Sequence, residues 1–520
     1  MLTLSEVFKA QSKYGVSQTY STDSEVVSYE IYLIGCRRML TDKTPTEYYT
    51  WDIKKQSDFT DSLIIAYVRN NKKLVAEYID ENGDLSQDEL INRLRIDIVD
   101  CGILRDALED DSIQEIQIND CKTIWVVRSG RNELYVDKWG RPYQFVSDAE
   151  LHATIDRLIY NPNGSTPRMT KTNPLLNTRT AAKGYRLSAV DGSAITPDSR
   201  VGFDFPCTSI TIRKYAPSML SFPDFEKFGS MPHEVSEFLR FCGRANVRLA
   251  CVGQTSSGKT TLLNAICWEV DPELRLILIQ NPTEIMIYDR FDENGANKRN
   301  ALHWEAQDLP PEAAKDPTTP TMANMVAHTL RNTPDVIIPG EVRTPEEFYQ
   351  VNRALKTGHR VLTTWHALDG PDAIDRASNE LATLGGSPLD HARSLANSFD
   401  IIVAQQKIGD GSRKVMKVEE LTGRLIDGRA ETRVLFEYVL TGDVKKNGNR
   451  VEKIYGYFQQ TNPISPALIK NFYSVGITAD ELKPFTNPPK LEEGRSNLPS
   501  QKEVEEQRLE EMKLLRKIKS

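Results

Sequence analysis

Gly253-Gln254-Thr255-Ser256-Ser257-Gly258-Lys259-Thr260 fits the pattern G-x-x-x-x-G-K-[ST]. The apolar run Val247-Arg-Leu-Ala-Cys-Val252 precedes it and Thr261-Leu-Leu-Asn-Ala-Ile266 follows. Strand, glycine loop and helix in that order give the pattern its mechanism. Backbone N–H groups of the loop and of the helix N-terminus form a nest for phosphate oxygens. Gly253 and Gly258 allow the turns. Lys259 is expected to neutralise the β- and γ-phosphates, and the Thr260 hydroxyl to ligate Mg²⁺. The expected nucleotide contacts are Gly253 through Thr261. The cofactors implied are ATP and Mg²⁺.

Downstream, three stretches supply further polar groups. Pro334-Asp-Val-Ile-Ile-Pro-Gly-Glu-Val-Arg343 is an apolar strand ending in Gly340-Glu341. It places a carboxylate at the carboxyl end of a sheet, where ligands bind in open α/β folds. Glu341 is the candidate for orienting the attacking water and for holding Mg²⁺, through water. Lys356-Thr-Gly-His359-Arg-Val-Leu-Thr-Thr-Trp-His366 brackets a short strand with two histidines, candidates for sensing the γ-phosphate or relaying between subunits. Leu278-Ile-Gln280-Asn281-Pro-Thr-Glu284 ends the strand after the loop's helix and should face the nucleotide.

Alternating strands and helices behind such a loop imply an α/β fold with a mostly parallel sheet covered on both faces. The 520 residues allow roughly two to four domains. Residues 1–99 read as a polar helical extension, with helical stretches over Asp58–Ile79 and Gln87–Val99. Residues 100–216 read as an α+β domain, with strands at Ile124–Val127, Tyr185–Val190 and Ser209–Arg213. A helix over Ala149–Ile159 carries Leu151, Ile155, Leu158 and Ile159 on one face. Residues 217–232, with prolines and a glycine, read as a linker. The nucleotide domain spans 233–485. A polar tail, 486–520, ends in a helix over Gln501–Lys519.

The net charge of −8 argues against a general nucleic-acid binder, so no direct nucleic-acid contact is expected. The seven cysteines form no C-x-x-C pair, which leaves neither a disulfide framework nor a zinc site. The start shows no basic segment followed by an apolar core, and no apolar run reaches the ~20 residues that span a bilayer. A cytoplasmic protein with peripheral membrane association is the expectation.

Together these motifs resemble the secretion ATPases of type II secretion, type IV pili and type IV secretion, and most of all the Tad-pilus (CpaF) assembly branch. The resemblance runs from about Leu108 to Ile477. It is carried by Thr208-Ser-Ile-Thr-Ile-Arg-Lys-Tyr215, the phosphate loop, Leu330-Arg-Asn-Thr-Pro-Asp335 with Gly340-Glu-Val-Arg343, Thr357-Gly-His359 through His366-Ala367, and Ile408–Val415. It implies a RecA-like ATPase domain preceded by an α+β domain, homohexameric rings, and a membrane platform protein as partner. ATP hydrolysis would drive Tad-type pilus assembly or secretion through a related apparatus. The alternative is a type IV secretion or conjugation ATPase that powers DNA or protein transfer. A nucleic-acid motor and a non-hydrolysing ATP-binding scaffold are the remaining readings. The resemblance also implies arginines that reach the phosphates: Arg186 and Arg213 from the first domain, Arg331 and Arg343 from the second. His359 and His366 match the family's histidine box.

Two departures stand out. The family's Ile-Glu-Asp-x-x-Glu box reads Ile279-Gln280-Asn281-Pro282-Thr283-Glu284, so two carboxylates are amides and Glu284 keeps the last. Pro339 replaces a branched apolar residue and is expected to bend the strand end.

Overall fold

A computed structural model of the chain describes residues 26–27, 29–43, 45, 53–71, 74–75, 87–99, 102–128, 130–136, 140, 142–145, 148–159, 169–181, 183–194, 208–214, 219–281, 283–289, 295–307, 316–448, 450–490 and 496–498. The helix expected over 501–519 lies outside them. The described residues fall into two compact units, one within 1–128 and 132–214, the other within 129–131 and 215–520.

In the first unit, strands β1 (Val26–Val27) and β2 (Leu74–Val75) pair in parallel. Helices Tyr29–Lys43, Ile53–Asn70 and Gln87–Val99 share a core of Tyr32, Leu33, Cys36, Ile64, Leu90 and Leu94. The helix expected to run to Ile79 stops at Asn70. There Asn71 donates both its backbone N–H and its side-chain amide to Tyr67 O, at 3.0 and 2.9 Å. The chain then enters β2.

Strands β3 (Ile113–Asp120), β4 (Thr123–Arg128), β5 (Arg131–Leu134), β6 (Leu175–Arg179), β7 (Arg186–Val190) and β8 (Ser209–Arg213) form a six-stranded sheet in the order β5-β4-β3-β8-β7-β6. Leu151, Ile155, Leu158 and Ile159 of helix Asp148–Ile159 are all buried, as their spacing requires. The register sets Arg213 opposite Glu115 on one side and Arg186 on the other, and Arg186 opposite Arg179.

The second unit holds β9 (Leu249–Gly253), β10 (Leu276–Gln280), β11 (Ala301–Glu305), β12 (Val336–Pro339), β13 (Arg360–Trp365), β14 (Ile401–Lys407), β15 (Arg413–Ile426), β16 (Arg429–Asn447) and β17 (Arg450–Gln460). They make one nine-stranded sheet in the order β11-β10-β12-β13-β9-β14-β15-β16-β17. From β11 to β14 every pairing is parallel, and β15 to β17 continue antiparallel. β9, β12, Leu276–Ile279 of β10 and Ile401–Ala404 of β14 read as unbroken apolar runs because both faces are covered. Leu249, Cys251, Leu276, Leu278 and Ile338 enter one core, while Ala250, Val252, Ile277, Ile279 and Ile337 enter the other. That split follows from the period-2 alternation of a strand.

The stretch expected as a linker is partly structural. Helix Phe222–Lys227 lies inside it, with Phe222 and Phe225 buried in the second unit's core. Ser221 caps this helix in a capping box with Asp224, and Pro223 occupies its first turn. That proline is a start signal, with a fixed φ suited to a first turn. Helix His233–Arg244 follows, and its Phe238 and Phe241 meet Phe436, Phe472 and Phe485 at centroid distances of 5.6–6.1 Å. The C-terminal helices Pro466–Tyr473 and Ala479–Thr486 thereby close the same core. Arg360, buried at the start of β13, donates to Cys242 O, Gly243 O and Val247 O at 2.9, 2.8 and 3.2 Å. A cation here satisfies carbonyls that the end of helix His233–Arg244 leaves open. Burial lowers the Arg360 guanidinium to about 10, so it stays charged at neutral pH.

Candidate functional site

Strand order departs from chain order at β9, which lies between β13 and β14. The carboxyl edge at such a switch point is where open α/β sheets bind ligands. The loop leaves β9 there, and helix Lys259–Trp268 begins at its end. Gly253 and Gly258 have φ of 157° and 98°, and Ser256 is also left-handed at 61°. A Cβ on Gly253 would stand 2.0 Å from Gln405 O, so only glycine fits. Lys259 is buried and donates to Gly253 O and Gln254 O, both at 3.0 Å. Thr260 and Thr261 follow in the first turn, both half-buried, while Gln254 and Thr255 are exposed at the loop's tip.

β12 ends at the same edge. Pro339 is its last residue and still pairs with Ile279. β13 braces this strand end: the Thr363 hydroxyl donates to Pro339 O at 2.7 Å and the Thr364 hydroxyl to Gly340 O at 2.8 Å. Val342 N–H donates to Thr364 O at 2.8 Å. These bonds fix Glu341 between them. Its carboxylate lies 3.0 Å from His366 Nε2 and accepts from Arg343 Nε at 3.0 Å. On its other nitrogen, His366 Nδ1 is 3.1 Å from Gly253 O and 3.4 Å from Lys259 Nζ. His366 thus ties the loop to the carboxylate. Burial pushes the Glu341 carboxyl up, but Arg343, Lys259 and His366 outweigh it and hold it below the ordinary range. It is an ionised carboxylate beside a phosphate loop.

A small cleft at this edge is lined by Thr260, Gln280, Asn281, Glu284, Glu341 and Arg343. Within it the amide at Gln280 has a structural reason. Buried at the end of β10, it accepts from the N–H groups of Glu284 and Ile285 at 2.9 and 2.6 Å and donates from Nε2 to Ile285 O at 3.0 Å. A carboxylate can accept twice but cannot donate. Gln280 therefore pins the turn that carries Glu284. Gln280→Glu is expected to leave Ile285 O unpaired and to cost about 1–3 kcal/mol of stability. Denaturant unfolding at neutral pH checks this, and an unchanged midpoint contradicts the pinning role.

The structure does not bring every expected residue to this edge. His359 sits at the amino end of β13, with the six residues of the strand between it and His366, and its Nδ1 is 3.0 Å from the Thr357 hydroxyl. Arg331 is exposed in the turn that precedes β12, again at the amino edge. Arg186 and Arg213 lie side by side on β7 and β8 of the first unit. Two groups of the loop's surroundings carry no signal in a local reading: Gln405 on β14, and Arg413 on β15, whose Nε donates to Ser256 O at 2.9 Å. An apolar strand, Ile401–Ala404, that ends in an amide is the hint the sequence holds.

The residues fit a magnesium–nucleotide. The glycine cradle admits no side chain at Gly253, and the buried Ser257 hydroxyl has no hydrogen-bond partner among the described residues. No three His, Cys, Asp or Glu side chains among the described residues cluster to hold a metal by themselves. Mg²⁺ would rest on the Thr260 hydroxyl, phosphate oxygens and water, with Glu341 in reach of that water. No helix among the described residues is long and apolar enough to cross a membrane.

Residues 98–430 match the family described as type II/IV secretion system protein. An uncharacterized protein of Methanocaldococcus jannaschii is 26% identical over 271 residues, which cover 51% of this chain and 44% of that protein. A probable conjugal transfer protein TrbB of Sinorhizobium fredii is 23% identical over 331 residues, covering 62% of this chain and 88% of that one. The chain thus spans less than half of the archaeal relative's length and most of the bacterial one's. The solved structure of the Legionella pneumophila ATPase DotB is also similar, at 21% identity and a TM-score of 0.41, covering 61% of this chain and 78% of that one.

Proposed function

Because the chain belongs to the type II/IV secretion system protein family, we propose that it is an ATPase whose turnover drives assembly of a Tad-type pilus or secretion through a related apparatus. The observation that carries this is the convergence of Lys259, His366 and an ionised Glu341 beside a strand-fixed phosphate loop. Loop N–H groups and Lys259 bind the β- and γ-phosphates. Mg²⁺ would be held by the Thr260 hydroxyl and, through water, by Glu341, and would supply neutralisation of phosphate charge. Glu341 accepts from the attacking water and orients it, and Arg343 and His366 keep its carboxylate in place. Glu284 adds a second carboxylate at the rim. Arg186 and Arg213 remain the cations that the resemblance to secretion ATPases implies for the phosphates. His359, at the other edge of its own sheet, would serve the relay between subunits of a homohexamer. The partner would be a membrane platform protein, met at the cytoplasmic face.

A second reading gives the same motor to conjugation or type IV secretion, and the match over most of the TrbB protein favours it. Flanking genes separate the two: prepilin and prepilin peptidase for one, a coupling protein and relaxase for the other. The test of the ATPase itself is phosphate release by the purified full chain. Release from ATP that requires Mg²⁺ and is indifferent to DNA and RNA is expected. No release even with the platform protein present would leave an ATP-binding scaffold, and stimulation by nucleic acid would leave a nucleic-acid motor.

A further inference from the structure

Gln405 is 2% exposed at the end of the buried run of β14, and neither atom of its carboxamide has a hydrogen-bond partner among the described residues. A buried amide left unpaired destabilises the fold, because its desolvation is not offset. An apolar side chain of the same size would carry no such cost. Its surroundings indicate what the amide faces. The Nε2 atom stands 3.2 Å from where a Cβ on Gly258 would lie, and the Gln405 carbonyl closes against Gly253. The fully buried Ser257 hydroxyl, within the loop, is also without a partner among the described residues. Arg413, from the next strand, holds the left-handed Ser256 by its carbonyl. β14 and β15 thus give the loop a second polar wall, opposite the one that bears Glu341.

The order of the strands assigns the two walls to two ends of the ligand. Thr260, Glu284 and Glu341 gather on the side of β9 where β13, β12 and β10 lie, so the hydrolysed γ-phosphate end belongs there. β14 is on the other side of β9. The nucleoside end therefore points toward Gln405. We propose that Gln405 is a nucleotide-positioning residue whose carboxamide hydrogen-bonds the ribose portion of a nucleoside di- or triphosphate seated in the loop. The inference rests on the ATPase reading above and adds to it the side that holds the part of the ligand common to ATP and ADP.

Calorimetric titration of the full chain with ADP, with ATP and with inorganic tripolyphosphate tests it. Gln405→Met keeps the size and removes the amide. ADP and ATP are expected to weaken by the same factor, about tenfold for one lost bond. Tripolyphosphate, which lacks the nucleoside, should keep its affinity. In turnover KM rises and kcat stays, because the contact is equal in ground and transition states. Without nucleotide the variant unfolds at or above the wild-type midpoint. Gln405→Glu, of the same shape, turns a carboxylate toward an anionic ligand and should weaken ADP further. Unchanged ADP affinity in both variants overturns the inference. So does an equal loss for tripolyphosphate, which would make Gln405 a support of the loop alone. Wild-type protein that binds neither ADP nor ATP overturns the ATPase reading itself, and this inference with it.

Discussion

Replacing Glu341 with Gln is expected to lower phosphate release from ATP by about 10²–10⁴-fold, with ATP affinity nearly unchanged. The magnitude is that of a positioned base or water-orienting group. The reason lies in charge. Glu341 stays ionised because Arg343, Lys259 and His366 more than offset the effect of its burial. Glutamine keeps the length and one acceptor oxygen but offers water no anion. It also weakens the grip of Arg343 Nε, which is charge-assisted in the native pair. Binding should survive because loop and lysine are untouched. Steady-state release together with ATP titration separates the two effects. A fall in affinity as large as the fall in rate would assign Glu341 to binding.

Lys259→Ala is expected to act on the other quantity. The ammonium is buried and takes the carbonyls of Gly253 and Gln254, with His366 at 3.4 Å. A bound nucleotide offers phosphate oxygens in place of those carbonyls. Each charge-assisted hydrogen bond to a phosphate contributes about 1.5–3 kcal/mol. Losing contacts to two phosphates should weaken ATP by about 10²-fold or more, and turnover falls with it. The fold should hold, since the α/β core lies beneath the loop and alanine favours the helix that starts at this residue. ATP titration with an unfolding control checks this; wild-type affinity in Lys259→Ala would remove the loop from the nucleotide site.

Much of this site is readable along the chain because each group rides on a strand end. The glycine loop, Glu341 and His366 each follow an apolar run directly, so their side of the sheet is set by local pattern. The helix at Phe222–Lys227 is hidden because Pro223 looks like linker punctuation until Ser221 and Asp224 are recognised as its cap. Gln280 reads as a lost carboxylate in the linear sequence. Its use as a donor to Ile285 O depends on the turn that follows, which no periodicity encodes. Gln405 and Arg413 depend on β14 lying next to β9, a long-range pairing. The positions of His359 and His366 at opposite ends of β13 follow from the strand between them, yet their shared motif suggests one site.

Single-turnover phosphate release, with enzyme in excess over Mg-ATP, compares wild type with Glu341→Gln and Glu284→Gln. Wild type should release phosphate despite the amides at Gln280 and Asn281. Glu341→Gln should be slower by at least about 10²-fold, with Glu284→Gln retaining most of the wild-type rate. Wild-type speed in Glu341→Gln would contradict the assignment of the water-orienting carboxylate.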